Sequence, residues 1–117
     1  MEAPGSTPSA DRRTEARKPL RVRVRLRLAG HAPTELRSVD LSSGGMGLVA
    51  DVNLPLGLAG DVGFTLRFPN GSSLDVQADA TIIHSVFSSS HDGFIIGLQF
   101  REPSADLQAA LRRYLRS

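Results

Sequence analysis

Hydrophobic and polar residues alternate strictly over residues 20–28. Successive side chains of a β-strand point to opposite faces of the sheet, so an alternation of period two predicts a half-buried strand. The face that the pattern assigns to the core is purely aliphatic, and the opposite face consists of arginine. The aliphatic set is Val22, Val24, Leu26 and Leu28, and the basic set is Arg21, Arg23, Arg25 and Arg27.

Shorter strand-like segments follow, separated by turns rich in Gly, Ser and Pro. The segments TELRSVDL and GMGLVA are joined through SSGG, which predicts a tight connection. VGFTLRF and LDVQADATIIHSVF flank the turn PNGSS and are predicted to form a hairpin. FIIGLQF gives the last strand.

The periodicity changes over residues 104–117, where apolar residues recur at spacings of three and four. This spacing predicts a short amphipathic helix. Ser104 is suited to be its N-cap, and Asp106 lies near the positive end of the helix dipole. The apolar stripe is formed by Leu107, Ala110, Leu111, Tyr114 and Leu115.

Six or seven short antiparallel strands are too few for a large sandwich and suit a small closed barrel, which leaves no exposed strand edge. We therefore predict an all-β fold, a six-stranded antiparallel barrel over residues 20–103 with a C-terminal α-helix over residues 104–117. Residues 1–10 bury too little apolar surface to fold and are predicted to be a disordered tail. Residues 11–19 are charged, end at Pro19 and are predicted to be a flexible arm.

Composition excludes several classes of function. The chain has no cysteine, so it has no disulfide, thiolate nucleophile or cysteine-based zinc site. Its three histidines have no metal-ligand spacing, and no nucleophile–base pair or phosphate-cradling loop is present, so we expect neither a metal, a cofactor nor an enzyme. No apolar stretch is long enough to span a bilayer and no signal peptide is evident, which predicts a cytoplasmic protein without membrane insertion.

The net charge of +2 hides a strong asymmetry along the chain. Residues 1–28 carry eight basic and three acidic residues, whereas residues 29–117 carry six and nine. Such a concentrated basic segment favours a focused anionic partner over a long nucleic acid. The strand arginines themselves are predicted to be the solvent face of that strand.

One short motif precedes the first predicted strand, and a second lies between the second and third. Arg13 and Arg17 form R-x-x-x-R, and DLSSGG contains D-x-S-x-x-G with Asp40, Ser42 and Gly45. In this order, and followed by GMGL and GLQF, they resemble the PilZ family, which consists of bacterial receptors for cyclic di-GMP. The resemblance extends from about Asp11 to Phe100 and implies a PilZ-like barrel whose arm over residues 11–19 binds the ligand.

The residue types suit this ligand. A guanidinium group bonds bidentately to phosphate oxygens or to guanine O6 and N7, and it can stack on a base. The Asp40 carboxylate would accept hydrogen bonds from the donors on the guanine edge, and the Ser42 hydroxyl would meet a donor or a phosphate oxygen. Gly45 would let the backbone approach the ligand or adopt a positive φ.

The resemblance implies a receptor that binds cyclic di-GMP between arm and turn and relays the signal to an unidentified downstream protein by ordering the arm. An arginine directly before the R-x-x-x-R motif leads us to hypothesise two ligand molecules per chain. His84 could reach a bound base, although we expect it to be partly buried with its ring nitrogens satisfied. The predicted ligand-binding residues are Arg12, Arg13, Arg17, Asp40, Ser42 and Gly45, with Ser43, Gly44 and His84 as additional candidates.

Two other functions were weighed. A PilZ-like adaptor that acts through protein contacts without nucleotide is disfavoured because both motifs are intact. A basic barrel for single-stranded nucleic acid needs exposed aromatic residues among basic ones, and most aromatic residues here occupy core positions. The DLSSGG segment could also be an ordinary Asp-Ser turn, which is compatible with ligand binding.

Overall fold

The computed structural model describes residues 17–117, which contain seven β-strands and one α-helix. A single turn of 3-10 helix, Ser89–His91, joins the last two strands. The strands are β1 (Arg17–Pro19), β2 (Arg23–Leu28), β3 (Thr34–Ser42), β4 (Gly45–Ala50), β5 (Ala59–Arg67), β6 (Ser73–Ser88) and β7 (Gly93–Phe100), and the helix is α1 (Ala105–Arg116).

The strands form one antiparallel sheet that closes on itself. Its order is β1-β3-β2-β5-β6-β7-β4, and β4 also pairs with β3. Strands β2 to β7 therefore make a closed six-stranded barrel, which confirms the predicted fold class. The short strand β1 pairs with the C-terminal part of β3, while β2 pairs with its N-terminal part.

The start of the barrel differs from the prediction. The strand expected from Leu20 begins at Arg23, and Arg17–Pro19, at the end of the predicted arm, form β1. The buried Ser38 explains the break, because its hydroxyl accepts a hydrogen bond from Val22 N at 2.9 Å and donates one to the Leu20 carbonyl, in place of ladder bonds. Residues 1–16, including most of the predicted arm, lie outside the described residues.

The core fills the inside of the barrel as the alternation predicts. In β2 the aliphatic side chains are buried and all the arginines are exposed. The β5 segment supplies Val62, Phe64, Leu66 and Phe68 to the same core. Burial of each such side chain contributes about 1.5 to 3 kcal/mol to folding, so these positions determine which face of each strand points into the barrel.

Helix α1 packs against the barrel through three buried side chains, Leu107, Leu111 and Tyr114. Its first turn is capped as predicted, since Leu107 N donates to Ser104 Oγ at 3.1 Å. Tyr114 meets Phe68 edge to face, with 5.9 Å between the ring centroids. The helix therefore lies on the barrel at the end where β1 enters.

Candidate functional site

The pairing of β1 with β3 brings the two sequence motifs together. Arg17 is the register partner of Ser42, and Pro19 is the partner of Asp40. Across this pair Arg17 Nε donates to Asp40 Oδ2 and Arg17 Nη2 donates to Asp40 Oδ1, both at 3.2 Å. The second arginine of R-x-x-x-R and the carboxylate of D-x-S-x-x-G, 23 residues apart in sequence, thus form a bidentate ion pair.

Asp40 lies on the outer wall of the barrel, directly after a bulge in β3. The register of β3 against β4 shifts between Ser38 and Asp40, which turns the carboxylate outward. Its Oδ1 also accepts a hydrogen bond from Gly47 N at 3.0 Å. The side chain of Asp40 remains 30% exposed and that of Arg17 50% exposed.

Ser42 is buried, and its hydroxyl holds the turn between β3 and β4. It accepts hydrogen bonds from Gly44 N at 3.3 Å and Gly45 N at 3.2 Å, and it donates to the Gly45 carbonyl at 3.3 Å. A hydroxyl has one donor and two acceptor sites, so all are engaged. Contact between Ser42 and a ligand would have to replace one of these bonds.

Gly45 is needed where β4 meets β7. A Cβ atom placed on it would lie 1.8 Å from the Leu98 carbonyl oxygen, so no side chain fits. Of the two alternatives predicted for Gly45, the positive φ is not found, since within residues 17–117 the glycines with positive φ are Gly30, Gly57 and Gly71. Close packing of two strands, rather than an unusual backbone conformation, explains this glycine.

Two further glycines, Gly47 of GMGL and Gly97 of GLQF, extend the site across the outer wall, and neither was predicted to bind the ligand. Successive register partners run from Asp40 to Gly47, then to Gly97 and then to His84. Register partners share a face of the sheet, so the two glycines form a floor between Asp40 and His84. Gly47 is buried beneath the Asp40 carboxylate, and His84 lies against Gly97. Glycine inside the strand segments GMG and IIG was the available signal, because interior strand glycine often marks close approach of another group.

His84 is exposed, contrary to the expectation that it would be partly buried. The register of β6 against β7 shifts between Ile82 and His84, and this bulge places both Ile83 and His84 on the surface. Of the other candidates, Ser43 is exposed and Gly44 is half-buried, where its carbonyl accepts a hydrogen bond from Phe100 N at 2.9 Å. Arg12 and Arg13 lie outside the described residues.

A second ion pair of the same type lies elsewhere on the barrel. Arg27 Nη2 contacts Asp61 Oδ2 at 2.7 Å, and this hydrogen bond and the negative charge of Asp61 raise the pKa of Arg27. It connects β2 to β5. Neither residue belongs to a sequence motif, so this pair serves as a control for the Arg17–Asp40 pair.

Residues 17–117 contain no group of three His, Cys, Asp or Glu side chains that could hold a metal ion. In the same part of the chain, no helix has the length and apolar character needed to cross a membrane.

These features define a class of protein: a small closed antiparallel barrel with a polar site on the outside of its wall, built from an arginine of the N-terminal strand β1 and an aspartate of β3. The PilZ domain model matches residues 11–117. The chain therefore belongs to the PilZ domain family. Comparison with curated protein sequences gives no match.

Solved structures with the same fold include several PilZ proteins. The Bacillus subtilis inhibitor of motility (MotI/DgrA) superposes with a TM-score of 0.74 at 17% identity, covering 87% of this chain and 48% of that one. The PilZ domain of Escherichia coli YcgR with c-di-GMP gives 0.64 at 21% identity, with coverages of 90% and 89%. A tetrameric PilZ protein from Xanthomonas campestris gives 0.54 at 20% identity, with coverages of 75% and 47%. This chain thus spans about half the length of the MotI structure, and the likeness shows the fold.

Proposed function

We propose that this protein is a bacterial, cytoplasmic receptor for cyclic di-GMP that binds the nucleotide without transforming it. The contact that supports the proposal is the bidentate Arg17–Asp40 pair, which joins both family motifs at one point of the outer wall. The family match over residues 11–117 supports the same ligand class. The E. coli YcgR domain of the same fold was solved with c-di-GMP.

The chemistry of the pair suits a guanine nucleotide. In the ligand-bound protein, the Arg17 guanidinium turns part of its donor fork to a phosphate or to guanine O6 and N7. Asp40 then accepts hydrogen bonds from the N–H donors of a guanine edge. The half-buried Gly97 lets the base approach the wall between Asp40 and His84.

The remaining motif residues have distinct roles in this proposal. Ser42 and Gly45 keep the turn in shape, with Ser43 and Gly44 at its rim. Arg12 and Arg13 close over the nucleotide from the side opposite the barrel wall, and Arg12 contacts a second nucleotide molecule. The ordered arm then presents a new surface to a downstream protein.

Isothermal titration with cyclic di-GMP tests the proposal. Arg17→Ala and Asp40→Ala should each weaken binding at least about 30-fold, because each removes charged hydrogen bonds to a desolvated ligand. The matched controls are Arg27→Ala and Asp61→Ala, which break the second surface pair and should leave the affinity within about 3-fold. Exposed pairs of this kind contribute at most about 1 kcal/mol to stability, so all four variants should fold.

Because Arg17 and Asp40 carry opposite charges, the two variants also distinguish a specific receptor from a general polyanion-binding barrel. A general polyanion-binding barrel would weaken with Arg17→Ala but bind as well or better with Asp40→Ala. Absence of binding by the unaltered protein at micromolar cyclic di-GMP would refute the receptor function and favour the adaptor. A stoichiometry of one ligand per chain would refute the role of Arg12.

A further inference from the structure

A cavity of about 240 Å³ lies on the outer wall beside the Arg17–Asp40 pair. Its lining contains three basic side chains and no acidic one. Two valines form its apolar part. We call it the arginine cavity. Its lining residues are Arg21, Arg37, Ser38, Val39, Val49 and His91.

Backbone bonds hold Arg21 at this cavity. Arg21 lies in the break between β1 and β2, where Leu20 N donates to the Val39 carbonyl and Ser38 N donates to the Val22 carbonyl, both at 3.0 Å. With the two bonds of the Ser38 hydroxyl, the residues on both sides of Arg21 are fixed to β3. Its exposed side chain therefore starts from a rigid position.

The other two basic residues come from different elements. Arg37 lies in β3, immediately before the bulge, with Val49 of β4 as its register partner. His91 belongs to the 3-10 turn, where its Nδ1 lies 3.0 Å from Ser88 Oγ. No hydrogen bond from its other ring nitrogen, Nε2, is formed within residues 17–117. Three separate parts of the chain thus bring donors to one cavity.

Within the part of the chain that the structure describes, no ion pair neutralises the arginines around the cavity. Arg37 is also the register partner of Arg23, and like charges in this position destabilise a sheet. Arg23 and Arg37 also line a neighbouring groove together with Glu35 and Asp51, with which they form no ion pair. Within residues 17–117, the ion pairs are Arg17–Asp40 and Arg27–Asp61, and neither includes Arg21, Arg23 or Arg37. A bound anion would relieve this repulsion.

The cavity borders the proposed nucleotide site at Val39. A Cβ atom placed on Gly47 would lie 2.8 Å from Asp40 Oδ1 and 3.9 Å from Val39 Cβ. The same point above the glycine floor is therefore bordered by the site carboxylate and by a wall of the arginine cavity.

We propose that the arginine cavity binds a phosphate group of the nucleotide held at Arg17 and Asp40. The proposal rests on the proposed function and adds Arg21 and Arg37, which belong to neither sequence motif, to the ligand contacts. Two guanidinium forks surround a tetrahedral oxyanion, and an imidazole N–H of His91 supplies a further donor. Val39 and Val49 exclude water from one side, which strengthens these hydrogen bonds.

The test compares two double variants with equal loss of charge. Arg21→Gln with Arg37→Gln should weaken cyclic di-GMP binding about 10-fold or more in calorimetry, because charged hydrogen bonds to phosphate are lost. The matched control, Arg25→Gln with Arg67→Gln, neutralises two exposed arginines that do not line the cavity and should change affinity less than about 3-fold. Equal affinities of the two double variants would overturn the inference while the receptor function stands.

A nuclear magnetic resonance titration of the unaltered protein distinguishes the source of the phosphate and needs no variant. Cyclic di-GMP should shift the backbone amides of Val39, Val49 and His91 at the same ligand concentration as that of Gly47. Shifts of these amides with inorganic phosphate but not with cyclic di-GMP would overturn the inference in favour of a free-phosphate site. If calorimetry shows no binding of cyclic di-GMP to the unaltered protein, the proposed function fails first and this assignment with it.

Discussion

At the scale of single residues, one short motif combines three physical roles. Asp40 faces outward and pairs with Arg17, Ser42 uses its whole hydroxyl to hold a turn, and Gly45 allows two strands to touch. Only the first role leaves a functional group open to a ligand. Loss of binding on mutation would therefore indicate a lost ligand contact at Asp40, a disturbed turn at Ser42 and a disturbed strand contact at Gly45.

Gly45→Ala should destabilise the fold rather than remove a ligand contact. The added methyl group would meet the Leu98 backbone oxygen, which cannot move without separating β4 from β7. Overpacking of this severity costs about 3 kcal/mol. Urea unfolding should show this loss, and the control Ser43→Ala, at an exposed neighbouring position, should stay within about 0.5 kcal/mol. Wild-type stability of Gly45→Ala would show that this strand contact is not rigid.

The pairing of Arg17 with Asp40 could be anticipated from the two motifs, whereas the reason for Gly45 could not. That reason depends on the register between β4 and β7, and strand register is a tertiary property that alternation does not specify. The exposure of His84 was mispredicted for a related reason. A bulge interrupts the alternation there, and local sequence gives no sign of it.

At the scale of elements, the three-residue strand β1 connects the candidate site to helix α1. Arg17 contacts Asp40, and the next residue, Lys18, contacts the end of the helix. Lys18 Nζ donates to the Ser117 carbonyl at 2.7 Å and to the Tyr114 carbonyl at 3.3 Å, and it lies 4.5 Å from the centre of the Tyr114 ring. A positive charge at a helix C-terminus is stabilising, so Lys18 fixes the last turn to the barrel.

Lys18→Met should lower the free energy of unfolding by about 1 kcal/mol, since it removes the helix-end charge and the cation–π contact but retains the alkyl chain. Hydrogen exchange should accelerate at the amides of residues 114–117. Arg112→Met is the control, because it removes a positive charge from an exposed helix position. Equal exchange rates in both variants would contradict the role of Lys18.

Elements with regular periodicity were predictable, and β1 was not. Strands β2 and β7 and helix α1 follow directly from periods of two and of three to four. The segment RKP has no apolar alternation and contains a proline, so it resembles an arm. Its strand pairing depends on β3, and its contact with the helix joins residues 96 and 99 positions apart.

At the scale of the whole molecule, the barrel interior is filled by side chains, and the candidate site lies on the outer wall. The fold class was predictable because many short strands and one terminal helix admit few closed arrangements. A site on the outer wall can be covered only by another part of the chain or by a partner. Residues 11–16 directly precede β1 in the sequence and include Arg12 and Arg13 of the predicted arm.

Cyclic di-GMP should order residues 11–16. Backbone ¹⁵N relaxation should show these amides losing fast internal motion on binding, because Arg12 and Arg13 become fixed to phosphate or base. The amides of β2 provide the internal reference, since their motion should not change. Equal mobility of residues 11–16 with and without nucleotide would contradict relay through the arm.

The contact of Tyr114 with Phe68 and Lys18 also makes the molecule its own optical probe. The chain has one tyrosine and no tryptophan, so its intrinsic fluorescence comes from a single known place. Emission therefore reports how the C-terminus docks on the barrel, without a label and without background from the strands. Detachment of that end can be timed separately from the loss of sheet structure seen by circular dichroism.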